Sequence, residues 1–233
     1  MMIYNKIILN IPHSSIVGVH DKQYCGWKEN ERFKKDCVLK WTDWDTNVIF
    51  APKGHLEKSF EMHVFPLSRF IIDAERLIDD PLEAKGQGIL YTDFDGFHRE
   101  ISPKVRDYLL NIYRGYIQQI RNSVTESSLL VDCHSFPAEL SDVDVCIGFN
   151  EDWSKPKQQT IDMIVKIFKK TGYKVGINNP YSNSLSPICG FTYHSLMIEV
   201  NKRIYFDSEK LQLLPEAQLF TETINNVYTS LLY

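Results

Sequence analysis

The sequence predicts an α/β fold, a single domain over residues 1–233 built on a central mixed, mostly parallel sheet with helices on both faces. Short runs of Ile, Val and Leu bounded by turn residues recur along the chain, as buried strands do. Between them lie longer segments whose apolar residues repeat every three or four positions, as amphipathic helices do. Strands alternating with long helices bury their faces by layering helices on a sheet. The length of 233 residues and 43% apolar content suffice for such a core.

In order, the first strand spans 6–11 and stops at Pro12. A helix is expected to begin near Thr46, and 68–72 reads as an apolar, strand-like run. Ile101, Val105, Tyr108, Leu109, Ile112, Tyr116 and Ile120 mark the first long helix. Strands follow at 129–133 and 143–148. Ile161, Ile164, Val165 and Phe168 mark a second helix, and 173–177 and 195–200 are the last strands. A third helix runs from Pro215 through Leu219, Phe220, Ile224 and Val227.

A net charge of −4, a pI near 6.0 and dispersed lysines and arginines offer nucleic acid or an anionic membrane no general attraction. A small molecule or peptide is the expected partner. No run of about 18 apolar residues occurs, and Lys6, Asn10, Pro12 and His13 interrupt the amino-terminal apolar stretch. Five widely spaced cysteines, Cys25, Cys37, Cys133, Cys146 and Cys189, form no C-x-x-C pair and fit free thiols. A cytoplasmic protein without a targeting segment is expected, its oligomeric state left open.

Carboxyl ends of strands are where α/β sheets collect ligands and chemistry. His13 follows the first strand in Ile11-Pro12-His13-Ser14-Ser15, and His134 follows another in Asp132-Cys133-His134-Ser135-Phe136. One such histidine is readily a loop hydrogen-bonding group; two are the start of a metal site. Asp132 is placed to orient a ligand ring. Catalytic zinc takes three protein ligands, so Asp43 and Asp45 of Trp41-Thr42-Asp43-Trp44-Asp45-Thr46 are candidates, the competing role being a helix cap. Cys133 reads as a small buried apolar residue, with a nucleophilic role as its rival.

Glu199 interrupts the apolar run Leu196-Met197-Ile198-Glu199-Val200. Either it pairs with Lys202 or Arg203, or burial raises its pKa and suits it to proton transfer. Arg69 and Arg76 exceed what Asp73 and Glu75 need for pairing, and guanidinium grips carboxylates. The Asn- and Ser-rich loop 176–183, with Asn178, is either a surface turn or the wall of a polar pocket.

Ile11-Pro12-His13-Ser14-Ser15, Trp44-Asp45, Ser68-Arg69-Phe70-Ile71-Ile72-Asp73 with Arg76, Gly86-Gln87-Gly88, Asp132-Cys133-His134-Ser135-Phe136 and Ile198-Glu199-Val200-Asn201 resemble, in order, the motifs of the N-formylglutamate amidohydrolase family. The resemblance implies a phosphorylase/hydrolase-like fold akin to the zinc exopeptidases, a Zn2+ cofactor, and hydrolysis of an N-acyl amino acid or short peptide. It assigns His13, Asp45 and His134 to the metal, Asp45 being taken over Asp43 from its distance before Arg69. It makes Glu199 the general base and acid and Arg69 the oxyanion-stabilising charge. Arg76 or Arg203 would hold a substrate carboxylate, with Ser135 and Asn178 as further contacts. The chain departs from the family in having Ser15 for a glycine and Glu75-Arg76 for an Asn-Arg pair. Two rivals remain, a metal-binding protein without turnover and an α/β binding domain with structural histidines.

Overall fold

The computed structural model describes residues 4–21, 26–27 and 31–233. Its core is a six-stranded sheet, formed by β1 (Lys6–Ile11), β2 (Phe60–Val64), β3 (Ser128–Phe136), β4 (Val145–Gly148), β5 (Val175–Ile177) and β6 (His194–Asn201). The strand order is β2-β1-β3-β6-β4-β5. The first four lie parallel, β4 runs antiparallel to β6, and β5 parallel to β4, so the sheet is mixed and mostly parallel as expected.

Alternation along the strands separates two cores. Ile7, Leu9, Ile11, Leu129, Val131, Cys133, Leu196, Ile198 and Val200 join one buried cluster, against α3 (Gln158–Lys170) and α4 (Ala217–Leu232). Ile8 and Leu130 join the other, with Leu109, Tyr113, Tyr116, Ile117 and Ile120 of α2 (Pro103–Ser123). Helix α2 starts where Ser102 accepts the Val105 amide, with Pro103 in its first turn. Helices therefore cover both faces.

Three local expectations are corrected. β2 was not foreseen; Glu61 and His63 break its apolar pattern because it is an edge strand with partly exposed residues. The run 68–72 is a turn that folds back, the amides of Ile71 and Ile72 both donating to the Ser68 carbonyl. β3 continues past residue 133 to Phe136, because β6 pairs with it through Phe136 and Asn201. Among the described residues no helix is long and apolar enough to cross a membrane. Cys37, Cys133, Cys146 and Cys189 are free thiols, and Cys25 lies outside the described residues.

Candidate metal centre

The sheet brings His13, His134 and Glu199 together from the carboxyl ends of three adjacent strands. His134 and Glu199 are direct partners across β3 and β6. His13 lies two residues beyond β1, and its carbonyl accepts the Asp43 amide at 3.0 Å. The imidazoles of His13 and His134, with centroids 5.0 Å apart, are both buried.

Each ring is anchored at one nitrogen. His13 Nε2 lies 2.8 Å from Asp73 Oδ1, and His134 Nδ1 lies 3.1 Å from Asp43 Oδ2. The other two, His13 Nδ1 and His134 Nε2, are buried without a hydrogen bond. A Glu75 carboxylate oxygen completes a group of three donor atoms lying within 4.8 Å of one another, with His134 Nε2 3.5 Å from Glu75 Oε1. Asn183 donates to that same oxygen at 3.2 Å.

The carboxylate grouped with the two imidazoles is Glu75; Asp45, expected in that place, is not part of the group. Asp45 occupies a left-handed conformation (φ 53°) at the start of α1 (Thr46–Ile49) and does not line the cavity; its carboxyl is pushed up by burial alone. It makes no side-chain cap either. Asp43, the alternative, lies 3.1 Å from His134 and 3.6 Å from His13 Nδ1. Burial raises its pKa, but the two imidazoles outweigh that and hold it well below the carboxylate range. The ring-orienting carboxylates are Asp43 and Asp73. Asp132, expected in that role, bonds instead to the Asn10 amide at 2.8 Å and the Leu185 backbone at 2.5 Å, and burial lifts it to about 6.

Asp73 is also why two arginines sit here. Its Oδ2 accepts from Arg69 Nη2 (3.2 Å) and Tyr91 (2.5 Å) and lies 3.7 Å from Arg76 Nε, while Arg76 also approaches Asp80 at 3.7 Å. The arginines are less surplus than their sequence neighbourhood suggested, because one buried acid takes both. The Nε atoms of Arg69 and Arg76 nevertheless lack hydrogen bonds, and both side chains line a cavity of about 220 Å³ with Glu75, His134, Ser135 and Glu199. Tyr181 and Asn183, from the loop after β5, form its far wall.

Glu199 is buried, and one of its oxygens, Oε2, has no partner. Burial raises its pKa to about 8 against the opposing pull of His134. The ion pair with Lys202 or Arg203 does not form: Lys202 bonds to the Lys40 carbonyl, and Arg203 to Asp144 and the carbonyls of Ser141 and Asp142. Arg203 is exposed and outside the cavity, which removes it as a carboxylate clamp. Asn178 is likewise structural, accepting the Phe149 amide at 2.9 Å. Ser135 reaches the site and donates to Asp43 at 3.4 Å. Cys133 faces the opposite core, and burial holds its thiol well above the usual range, which argues against a cysteine nucleophile.

Glu75 and Asp73 as site residues, and Tyr91 and Tyr181 as lining, escaped the sequence reading. The signal available was the acid pair Asp73-Ala74-Glu75 directly after the Ser-Arg motif.

The family model of N-formylglutamate amidohydrolase matches residues 5–206. A crystal structure of N-formylglutamate amidohydrolase from Ralstonia eutropha is similar in fold, with a TM-score of 0.78 and 17% identity, covering 99% of this chain and 93% of that one. A gene product of Agrobacterium tumefaciens superposes with a TM-score of 0.65 at 12% identity, covering 97% and 91%. No curated protein matches the chain.

Proposed function

Because the chain belongs to the N-formylglutamate amidohydrolase family, a group of amide-bond hydrolases, we propose that it is a zinc-dependent enzyme cleaving the N-acyl amide of an amino acid such as N-formylglutamate. The observation that carries this reading is the pair of orphaned nitrogens, His13 Nδ1 and His134 Nε2, converging with the Glu75 carboxylate. Two imidazoles and one carboxylate are a donor set of catalytic zinc sites. Buried polar nitrogens without a hydrogen-bond partner are costly unless something fills the gap. His13, Glu75 and His134 would hold the ion, with Asp73 and Asp43 fixing the rings. When bound, zinc supplies Lewis acidity and lowers the pKa of water.

The remaining work falls to the chain. Glu199, with its free oxygen facing the cavity beside His134, takes the proton from the attacking water and passes it to the departing nitrogen. Arg69, held by Asp73 and Tyr91, places positive charge where the oxyanion develops. Arg76 offers its free Nε to the substrate carboxylate, and Ser135 a hydroxyl.

Metal analysis tests the reading. Wild-type protein purified without a metal-binding tag is expected to carry about one zinc per chain, and so is Asp45→Ala, whereas Glu75→Ala and the double variant His13→Ala, His134→Ala lose it while staying folded. Glu199→Gln keeps its zinc and loses about 10²- to 10⁴-fold in kcat on N-formylglutamate. No metal in wild type after reconstitution would sink the assignment.

A further inference from the structure

A second cavity, of about 1160 Å³, adjoins the first. Trp41, Gln87 and Phe94 line both, so the two cavities share that wall. Gln87 is held there by the turn at Gly86, whose φ of 71° is a glycine conformation and whose carbonyl accepts the Thr92 amide at 2.7 Å. The inner cavity of about 220 Å³ is smaller than the roughly 300–1,000 Å³ of ordinary ligand pockets. Most of the room beside the reacting groups lies outside it.

Lys202 lines the outer cavity. Beyond β6, the Asn201 side chain holds the carbonyls of Ala138, Ser141 and Val143 and accepts the Arg203 amide. That single helical turn, Lys202–Ile204, sends Lys202 inward, where it is 3% exposed. An ammonium has three protons to donate. Nζ gives one to the Lys40 carbonyl at 2.5 Å, and no described carboxylate oxygen lies within 4.0 Å of it. Burial lowers its pKa to about 8, with Arg69 adding to that effect, although Asp43, Glu199 and Glu139 favour its charge. The other charges of this cavity are answered or solvated. Lys40 pairs with Glu139 at 2.7 Å, Asp36 pairs with Arg32 at 3.4 Å, and Lys34, Lys35, Asp95 and Glu209 are exposed. Among the described charges lining this cavity, Lys202 is the buried cation with no carboxylate within 4.0 Å.

We propose that Lys202 binds a carboxylate of a substrate longer than one residue, an N-acyl peptide whose scissile amide lies in the inner cavity and whose acidic end crosses Trp41, Gln87 and Phe94 into the outer one. This rests on the amidohydrolase reading for the bond cleaved, and on the cavity and Lys202 for the length and charge of the substrate.

The test uses N-formylglutamate, N-formylglutamylalanine and the carboxamide of the latter. Their dissociation constants are measured by calorimetry on zinc-supplemented Glu199→Gln protein, and turnover is measured on wild type. The free dipeptide acid is expected to bind about 10- to 100-fold tighter than its carboxamide, the range of a charge-assisted hydrogen bond. Lys202→Met abolishes that preference and Lys202→Arg keeps most of it, thermal unfolding showing that both variants fold. Equal affinities for acid and carboxamide, or a preference that survives in Lys202→Met, overturn the inference. Hydrolysis of N-formylglutamate alone, with no Lys202-dependent preference, leaves the amidohydrolase reading standing and removes the extension. A Lys202-dependent preference without hydrolysis of any of the three does the reverse.

Discussion

Each imidazole of the site has one nitrogen committed to an aspartate and one left over, and this division decides what the residues can do. Asp73 and Asp43 fix ring orientation, so the free nitrogens point at a common centre instead of rotating toward solvent. For His134 burial opposes protonation, yet Glu75, Asp43 and Glu199 raise its pKa to about 10. A proton and a metal ion are therefore alternatives at the same nitrogen. Lys202 shows the opposite balance, burial outweighing its acidic neighbours and lowering the pKa to about 8. Between that value and its unfolded value, the unfolded chain holds a proton that the folded chain has released, so this group's contribution to stability rises with pH. Lys202→Met is accordingly expected to stabilise the protein most at pH 7 and progressively less toward pH 10. Thermal unfolding of both proteins across that range measures it; a difference independent of pH would place the charge in water. At this scale the gathering of His13, His134, Glu199 and Arg69 at one candidate site was legible because polar residues stand out at the ends of apolar runs. Glu75 was not, since the neighbouring Arg69 and Arg76 account for it as an ordinary ion-pair partner.

Elements supply the geometry that single residues cannot. The pairing of β3 with β6 sets His134 beside Glu199 by register, and a one-residue slip would turn either side chain into the opposite core. That opposite core holds the register. Phe220 of α4 is fully buried, with its ring 5.3 Å from Phe50 and 6.1 Å from Phe168. Phe220→Ala removes an aromatic side chain at a site closed on all sides and should cost about 3–5 kcal/mol. Urea unfolding is expected to show a lower midpoint with an unchanged slope, and a loss under 1 kcal/mol would mean that the helix is held elsewhere. The three long helices and most buried strands were readable because periodicity of 3.6 or a continuous apolar run survives in one dimension. β2 was hidden by its polar positions, and the turn 68–72 by its apolar ones.

At the scale of the whole molecule, a group of buried charges gathers at the carboxyl ends of β1, β3 and β6. Asp43, Asp73, Glu75 and Glu199 meet His13, His134, Arg69 and Arg76 there. A bound cation would relieve the repulsion among the four acids, so metal binding and folding are linked. Zinc at 100 times its dissociation constant should add about 2.7 kcal/mol, which for a chain of this size is a rise in Tm of roughly 5–11 °C. Scanning calorimetry with zinc and then with a chelator checks this. The double variant His13→Ala, His134→Ala should not respond, and an equal response there would assign the metal to another site.

What the sequence determined by itself was the α/β class, the three long helices, and the residue types able to bind a metal and move a proton. Those properties are local, since periodicity and the cost of a carboxylate in an apolar run do not depend on which elements meet. Which carboxylate joins the histidines, which arginines are tied down and which lysine is left buried were decided only by the tertiary structure. A turn folds Asp73 and Glu75 back over β1 and β3, and one helical turn draws Lys202 inward while Arg203 goes to the surface. Residues 13, 75 and 134 become neighbours only when the sheet is assembled, because side-chain chemistry acts over a few ångströms of space regardless of separation along the chain.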